Sequence, residues 1–224
     1  SIAIGGTTVV GNKDKEGYKG NIYGGGLATD GALSSVENVK IVVADSAEIN
    51  GDIYGGGLAL KGEYLDAPYY NNAQATVDNA EIIIAGGTVK GDIYAGGRVI
   101  AVTDGDNAAK SIVKTGSVTL ADPAVFEGTK IDANGVTKAD LTLAGGEYDF
   151  TDKSVNAFST VTAQSVKNFN FDFGDKTVTE WSGLYDVDTI TATAKSTVNV
   201  IDGAVATKNG FDNVTFNVTG GVLA

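Results

Sequence analysis

The 224-residue chain contains no cysteine, no histidine and no methionine, and only two prolines, one tryptophan and one arginine. Each shortage closes a route. Without cysteine there is no disulfide scaffold. Without cysteine and histidine, Ser-His-Asp and Cys-His nucleophilic arrangements are excluded, together with the usual zinc ligand sets. With Arg98 as the single arginine and a net charge of −12, there is no cationic cluster on which a phosphate backbone could sit, so nucleic acid is excluded as a partner. No apolar run reaches the ~20 residues of a membrane helix, so this segment does not insert directly into a bilayer. No signal peptide is visible, and the chain starts at Ser1. It therefore reads as a processed protein or an excised piece.

What is abundant is glycine, 31 residues, about twice the usual share. With so little proline and no Gly-X-Y period, that excess means turns. Gly20-Asn-Ile-Tyr-Gly-Gly-Gly-Leu-Ala returns as Gly51-Asp-Ile-Tyr-Gly-Gly-Gly-Leu-Ala, and again as Gly91-Asp-Ile-Tyr-Ala-Gly-Gly-Arg-Val. A second block, Val36-Glu-Asn-Val-Lys-Ile-Val-Val-Ala, matches Val77-Asp-Asn-Ala-Glu-Ile-Ile-Ile-Ala. Between cassette and block the first unit has seven residues, 29–35, and the second seventeen, 60–76. A constant core with one variable loop is the mark of a solenoid, whose insertions map to one face while its strands keep register.

The units read as strands. Ile41-Val-Val and Ile82-Ile-Ile are β-branched runs too short for buried helices. The cassette predicts that Ile22, Ile53 and Ile93 form one interior stack and Tyr23, Tyr54 and Tyr94 a ladder beside it, since adjacent strands lie about 4.8 Å apart. The glycine triplet is read as a tight corner. A phosphate-cradling loop would need a helix N-terminus, and nothing here reads as helix. After residue 100 the cassette dissolves, but period-two alternation persists in Phe169-Asn-Phe-Asp-Phe and Val214-Thr-Phe-Asn-Val-Thr, the pattern of half-buried strands. The expectation is one all-β parallel solenoid over 1–224, regular over 1–100 and less regular over 101–224, with larger core residues in the second half. The alternative is a separate β-sandwich from about residue 136.

The combination Ile-Ile-Ala-Gly-Gly-Thr-Val-Lys-Gly-Asp-Ile-Tyr-Ala-Gly-Gly (83–97), with Phe-Asp-Asn-Val-Thr (211–215) and Leu-Ala-Gly-Gly-Glu-Tyr (143–148), resembles the passenger regions of bacterial autotransporter-like surface proteins. It covers most of 1–100 well and 136–224 loosely. The resemblance implies a right-handed parallel β-helix displayed outside the cell, often as an adhesin, and it transfers no catalytic residue to this chain.

Candidate chemistry is thin. A carbohydrate-active enzyme, lyase or glycoside hydrolase, is the alternative on such a fold, with Asp186 and Asp188 or Asp172 and Asp175 as paired carboxylates. Arg98 occupies the slot held by Leu27 and Leu58 and reads as a drifted repeat position. Asp104-Gly-Asp106-Asn resembles a fragment of a calcium loop but lacks the distal glutamate. Asn213-Val-Thr and Asn217-Val-Thr fit the glycosylation pattern, yet read as plain strand residues. The insertion 61–72 carries Tyr64, Tyr69 and Tyr70, which could offer stacking faces to a sugar or protein. The sequence therefore predicts a non-enzymatic, extracellular structural or adhesive protein of the bacterial surface, without cofactor or metal. Its expected contacts are other surface proteins, glycans or its own copies, the last by end-to-end stacking into filaments.

Overall fold

A computed structural model of the protein describes residues 1–12, 14, 19–29, 31–60, 73–100, 109–207, 209 and 211–223. Among them every regular element is a strand. Every strand pairing is parallel. The chain is a parallel β-solenoid.

Four strands make each of the first three coils. The first holds β1 (Ile2–Ile4), β2 (Val9–Val10), β3 (Ile22–Tyr23) and β4 (Leu27–Thr29). The second holds β5 (Leu33–Val43), β6 (Glu48–Ile49), β7 (Ile53–Tyr54) and β8 (Leu58–Leu60). The third holds β9 (Gln74–Ile84), β10 (Thr88–Val89), β11 (Ile93–Tyr94) and β12 (Arg98–Ile100). The fourth, β13 (Lys110–Ala121), β14 (Val125–Phe126) and β15 (Lys130–Asp132), has no counterpart of β12 and turns directly into β16 (Val136–Asp149). There follow β17 (Ser154–Asn156), β18 (Thr160–Asp172), β19 (Val178–Thr191), β20 (Ser196–Thr207), β21 (Val214–Val218) and β22 (Gly221–Leu223). Three sheets result: fifteen strands including β1 and β16–β22, the four strands β14-β10-β6-β2, and the three strands β12-β8-β4. The sandwich considered for the region from about 136 is not formed. Its strands continue the same parallel sheet, whereas a sandwich of that kind is antiparallel.

The core is built of stacked side chains. One column runs Ile2, Ile41, Ile82, Val118, Leu141, Val161, Trp181, Val200, Val218, each paired with the next. From Ile41 onward the spacings, taken as differences of consecutive numbers, are 41, 36, 23, 20, 20, 19 and 18 residues. The solenoid tapers. The wide coils close on Ile, Val and Ala. The narrow coils have fewer inward positions, and each must fill more space. There the core is aromatic: Phe169 meets Trp181 edge-on at 5.1 Å and Phe171 meets Phe173 at 5.3 Å, with all four buried. Burial of such a side chain contributes about 1.5–3 kcal/mol.

Long strands turn corners at defined columns. In β5, β9, β13 and β16 two successive residues face outward, Glu37-Asn38, Asp78-Asn79, Lys114-Thr115 and Thr137-Lys138, and the register skips one pair there. In β19 and β20 the corner is made by paired glycines, Gly183 (φ 126°) and Gly203 (φ 91°), conformations a side chain would oppose. The three-stranded sheet packs close through alanines: Ala28, Ala59, Ala73, Ala75 and Ala109 form a small core of their own.

Candidate functional site

The cassette builds one outward face. Its inward column continues past the repeat as Ile22, Ile53, Ile93, Ile131, Val155, Phe171, Ile190. Ile22, Ile53 and Ile93 are buried in register, and Tyr23, Tyr54 and Tyr94 stack beside them with ring centroids 4.9 and 4.7 Å apart and planes within 7° and 5° of parallel. Because the rings lie face to face, their π faces are consumed within the ladder. The two end faces differ: Lys130 lies over the Tyr94 ring, whereas the face of Tyr23 turned away from Tyr54 meets no stacked aromatic among the described residues.

The residue before each isoleucine staples successive coils. Asn21 Oδ1 accepts the Asp52 N–H at 2.9 Å, and Asp52 Oδ1 accepts the Asp92 N–H at 3.0 Å. Asp92 Oδ1 accepts the Thr129 and Lys130 N–H groups and the Thr129 hydroxyl, at 2.8, 3.0 and 3.0 Å. The second carboxylate oxygens accept the phenols, Tyr54 to Asp52 at 3.1 Å and Tyr94 to Asp92 at 3.4 Å. Burial, reinforced by the Asp52 charge, pushes the Tyr54 phenol far above its ordinary value, and burial also raises Tyr94. Both phenols therefore stay protonated at neutral pH and keep donating to their carboxylates.

Two cations flank the ladder. Lys130 lies over the Tyr94 ring at 4.9 Å and pairs with Asp132 at 3.3 Å. Burial alone would lower its pKa, but the Asp132 and Tyr94 charges outweigh that and the net direction is upward. Arg98 sits in register with Leu58 and Leu27, as the repeat implies. It is no inert drift, however. Its guanidinium reaches back to donate to the Tyr23 oxygen at 3.2 Å and lies 5.8 Å from the Tyr54 ring centre. The hydrogen bond to Tyr23 holds it above its ordinary pKa. Sequence reasoning missed this clamp. The available signal was that the only arginine stands in a repeat slot one strand away from the tyrosine ladder.

A second feature is an edge. The chain leaves the three-stranded sheet at Thr29, Leu60 and Ile100, which pair with one another, and returns at Leu33, Gln74 and Lys110, which also pair. Three excursions of different length thus begin and end at the same register on neighbouring coils. Tyr64, Tyr69 and Tyr70, and Asp104 and Asp106, belong to these excursions and lie outside the described residues.

Of the paired carboxylates, Asp186 and Asp188 both lie on the outward face of β19, and Asp172 and Asp175 are each engaged locally. Asp172 Oδ1 accepts the Gly174 N–H at 2.9 Å and Asp175 pairs with Lys176 at 2.8 Å. Among the described residues there is no group of three or more acidic side chains placed to hold a metal ion. Asn213 sits exposed in a turn with φ 63°, and Asn217 donates to Asn199 Oδ1 at 3.2 Å in a strand.

Fold and faces define a class, a parallel β-solenoid with one stapled polar face and one loop-bearing edge. Comparison of the chain with protein-family models, with curated proteins and with solved structures gave no match.

Proposed function

We propose that this is a non-enzymatic structural and adhesive protein of the bacterial exterior, a stiff solenoid that presents the loop edge to host surfaces, other cells or copies of itself. The observation that carries the reading is the alignment of the three loop stems. A continuous core and coil-to-coil hydrogen bonds fix the stems, while 61–72 and 101–108 differ freely in length and chemistry from 30–32. That division of a rigid scaffold from variable loops is the usual arrangement of recognition surfaces. The resemblance to autotransporter-like passengers supports the extracellular setting.

Replacing 61–72 by Asp30-Gly31, the two residues that fill the same stretch between β4 and Ala32, tests it. The shortened chain is expected to melt as the parent does and to lose binding to immobilised host cells and matrix glycans. Unchanged binding would sink the loop-edge reading, and single-Asp-dependent cleavage of any polysaccharide in the same assays would replace it with an enzyme. Self-association is read by light scattering of concentrated samples. The wide end offers the edges of β1, β2, β3 and β4, the narrow end those of β21 and β22. End-to-end stacking into filaments is the expected form of association, and a monodisperse monomer at high concentration would rule it out.

A further inference from the structure

Coils one to three share a cassette but differ in hydrogen-bond polarity at its outer corner. In the second and third, Tyr54 and Tyr94 donate their phenolic protons to Asp52 and Asp92. In the first, the equivalent residue is Asn21. Its Oδ1 is committed to the Asp52 N–H, so its Nδ2 donates to the Tyr23 oxygen at 3.4 Å. Arg98 Nη1 donates to the same oxygen at 3.2 Å. The Tyr23 oxygen thus accepts twice, and its own proton meets no acceptor among the described residues.

Arg98 is the second departure from the repeat. A guanidinium carries five N–H donors. One is engaged with Tyr23, and none of the ion pairs among the described residues involves Arg98. Both departures act in one direction. Asparagine for aspartate removes a negative charge and frees a phenolic proton; arginine for leucine adds a positive charge. They open into a groove of about 790 Å³ bordered by Lys19, Asn21, Tyr23, Asp52 and Arg98, within the size range of ligand sites.

We propose that this groove binds a saccharide through an acidic group, carboxylate or sulfate. The free edge of Arg98 takes two oxygens as a fork, the Tyr23 proton goes to one of them, and Lys19 closes the third side. With a net charge of −12 on the chain, long-range attraction does not deliver the anion; recognition is by contact. The nearby Asp52 keeps its charge, but its two oxygens are taken by the Asp92 N–H and the Tyr54 phenol, and it forms no ion pair with Arg98 that would have to break. A saccharide is favoured over an acidic peptide by the lining. Among the described residues no aliphatic side chain borders the groove to receive an apolar anchor, whereas Lys19, Arg98 and the Tyr23 phenol supply polar groups to a hydroxylated ring. The unstacked face of Tyr23 is the surface on which a sugar ring packs.

The proposal deepens the surface-protein reading by naming a ligand class, and takes only its biological setting from it. Calorimetric titration of the intact chain with trigalacturonate, a sulfated galactose trimer, the neutral galactose trimer and tri-aspartate tests it. An acidic trimer is expected to bind at least about tenfold more tightly than the neutral one; the better of the two acidic trimers identifies the group. Arg98→Leu and Asn21→Asp restore residues found in the same slots of sister coils, so both variants should fold, with melting shifts within about 4 °C. Each should reduce acidic-trimer affinity by about tenfold or more. Equal binding of acidic and neutral trimers, tighter binding of tri-aspartate, no saturable binding, or affinities unmoved in both variants would overturn the proposal. The chain lacking 61–72 should bind the acidic trimer as the parent does, so this test and the loop test fail separately.

Discussion

Asp52 uses one carboxylate oxygen to hold the next coil and the other to hold its own tyrosine. The Gly-Asp-Ile-Tyr cassette is thereby explained residue by residue: aspartate staples, isoleucine fills the core, tyrosine stacks. A different carboxylate gives a measurable consequence. Asp149 Oδ1 accepts from Asn168 Nδ2 at 2.9 Å and from the N–H and hydroxyl of Thr151 at 2.9 and 2.7 Å. These bonds, the Asn168 one foremost, hold its pKa at about 2 rather than 3.8. A depressed folded-state pKa means that the stabilisation is present above the ordinary value and is lost as pH falls from 3.8 towards 2. The Thr151 amide resonance should therefore titrate with a midpoint near 2. A midpoint at the unperturbed value would show that the turn is not held in solution. The same scale marks what the sequence hid. The tyrosine ladder was legible because identical residues recur at identical offsets. The Arg98–Tyr23 bond was not, because it spans 75 positions and two coils, and no repeat rule encodes a side chain reaching back along the axis.

At the scale of the element, the glycine triplets are close-contact sites and not turns needing positive φ. None of Gly55, Gly56 or Gly57 has one. A Cβ on Gly56 would lie 2.7 Å from the Gly97 Cα and 2.7 Å from Val113 Cγ2. A Cβ on Gly96, the same slot in the next coil, would meet nothing nearer than Val136 Cγ2 at 3.5 Å. Gly56→Ala should thus cost about 3 kcal/mol or more by forcing coils apart. Gly96→Ala should be neutral or stabilising by about 0.5 kcal/mol, through the unfolded chain. Urea denaturation of the two variants measures the difference, and equal losses would mean that the sheets do not approach as closely as described. The strands of the second half were also readable from alternation alone. Their arrangement was not. Phe169, Phe171, Phe173 and Trp181 announce burial, but nothing in a local pattern states how many residues lie between one pass of the chain and the next once the cassette is gone. That number is fixed by how much core volume each inward side chain fills, a property of the assembled coil.

For the whole molecule, the sequence supports a single stack, and the structure adds that the stack narrows from coils of about forty residues to coils of eighteen. Apolar columns run through every coil, and the polar staples sit outside them. The face that carries the donor groove lies at the wide end, where the three-stranded sheet supplies Arg98. The narrow end has no such sheet, and its side chains pack an aromatic core in place of a broad one.

The narrowing has a mechanical reading. A rod pulled from its ends peels one coil at a time, and each coil surrenders its hidden length as it goes. At about 3.4 Å per residue an eighteen-residue coil releases roughly 60 Å and a forty-one-residue coil roughly 140 Å. Single molecules stretched in an optical trap should therefore yield a staircase of two step sizes, short steps from the carboxyl end and long ones from the amino end. Steps of one uniform length would be incompatible with a tapering winding. A tether graded in this way gives fine extension when peeled from one terminus and coarse extension from the other, so the direction of load decides how it absorbs tension.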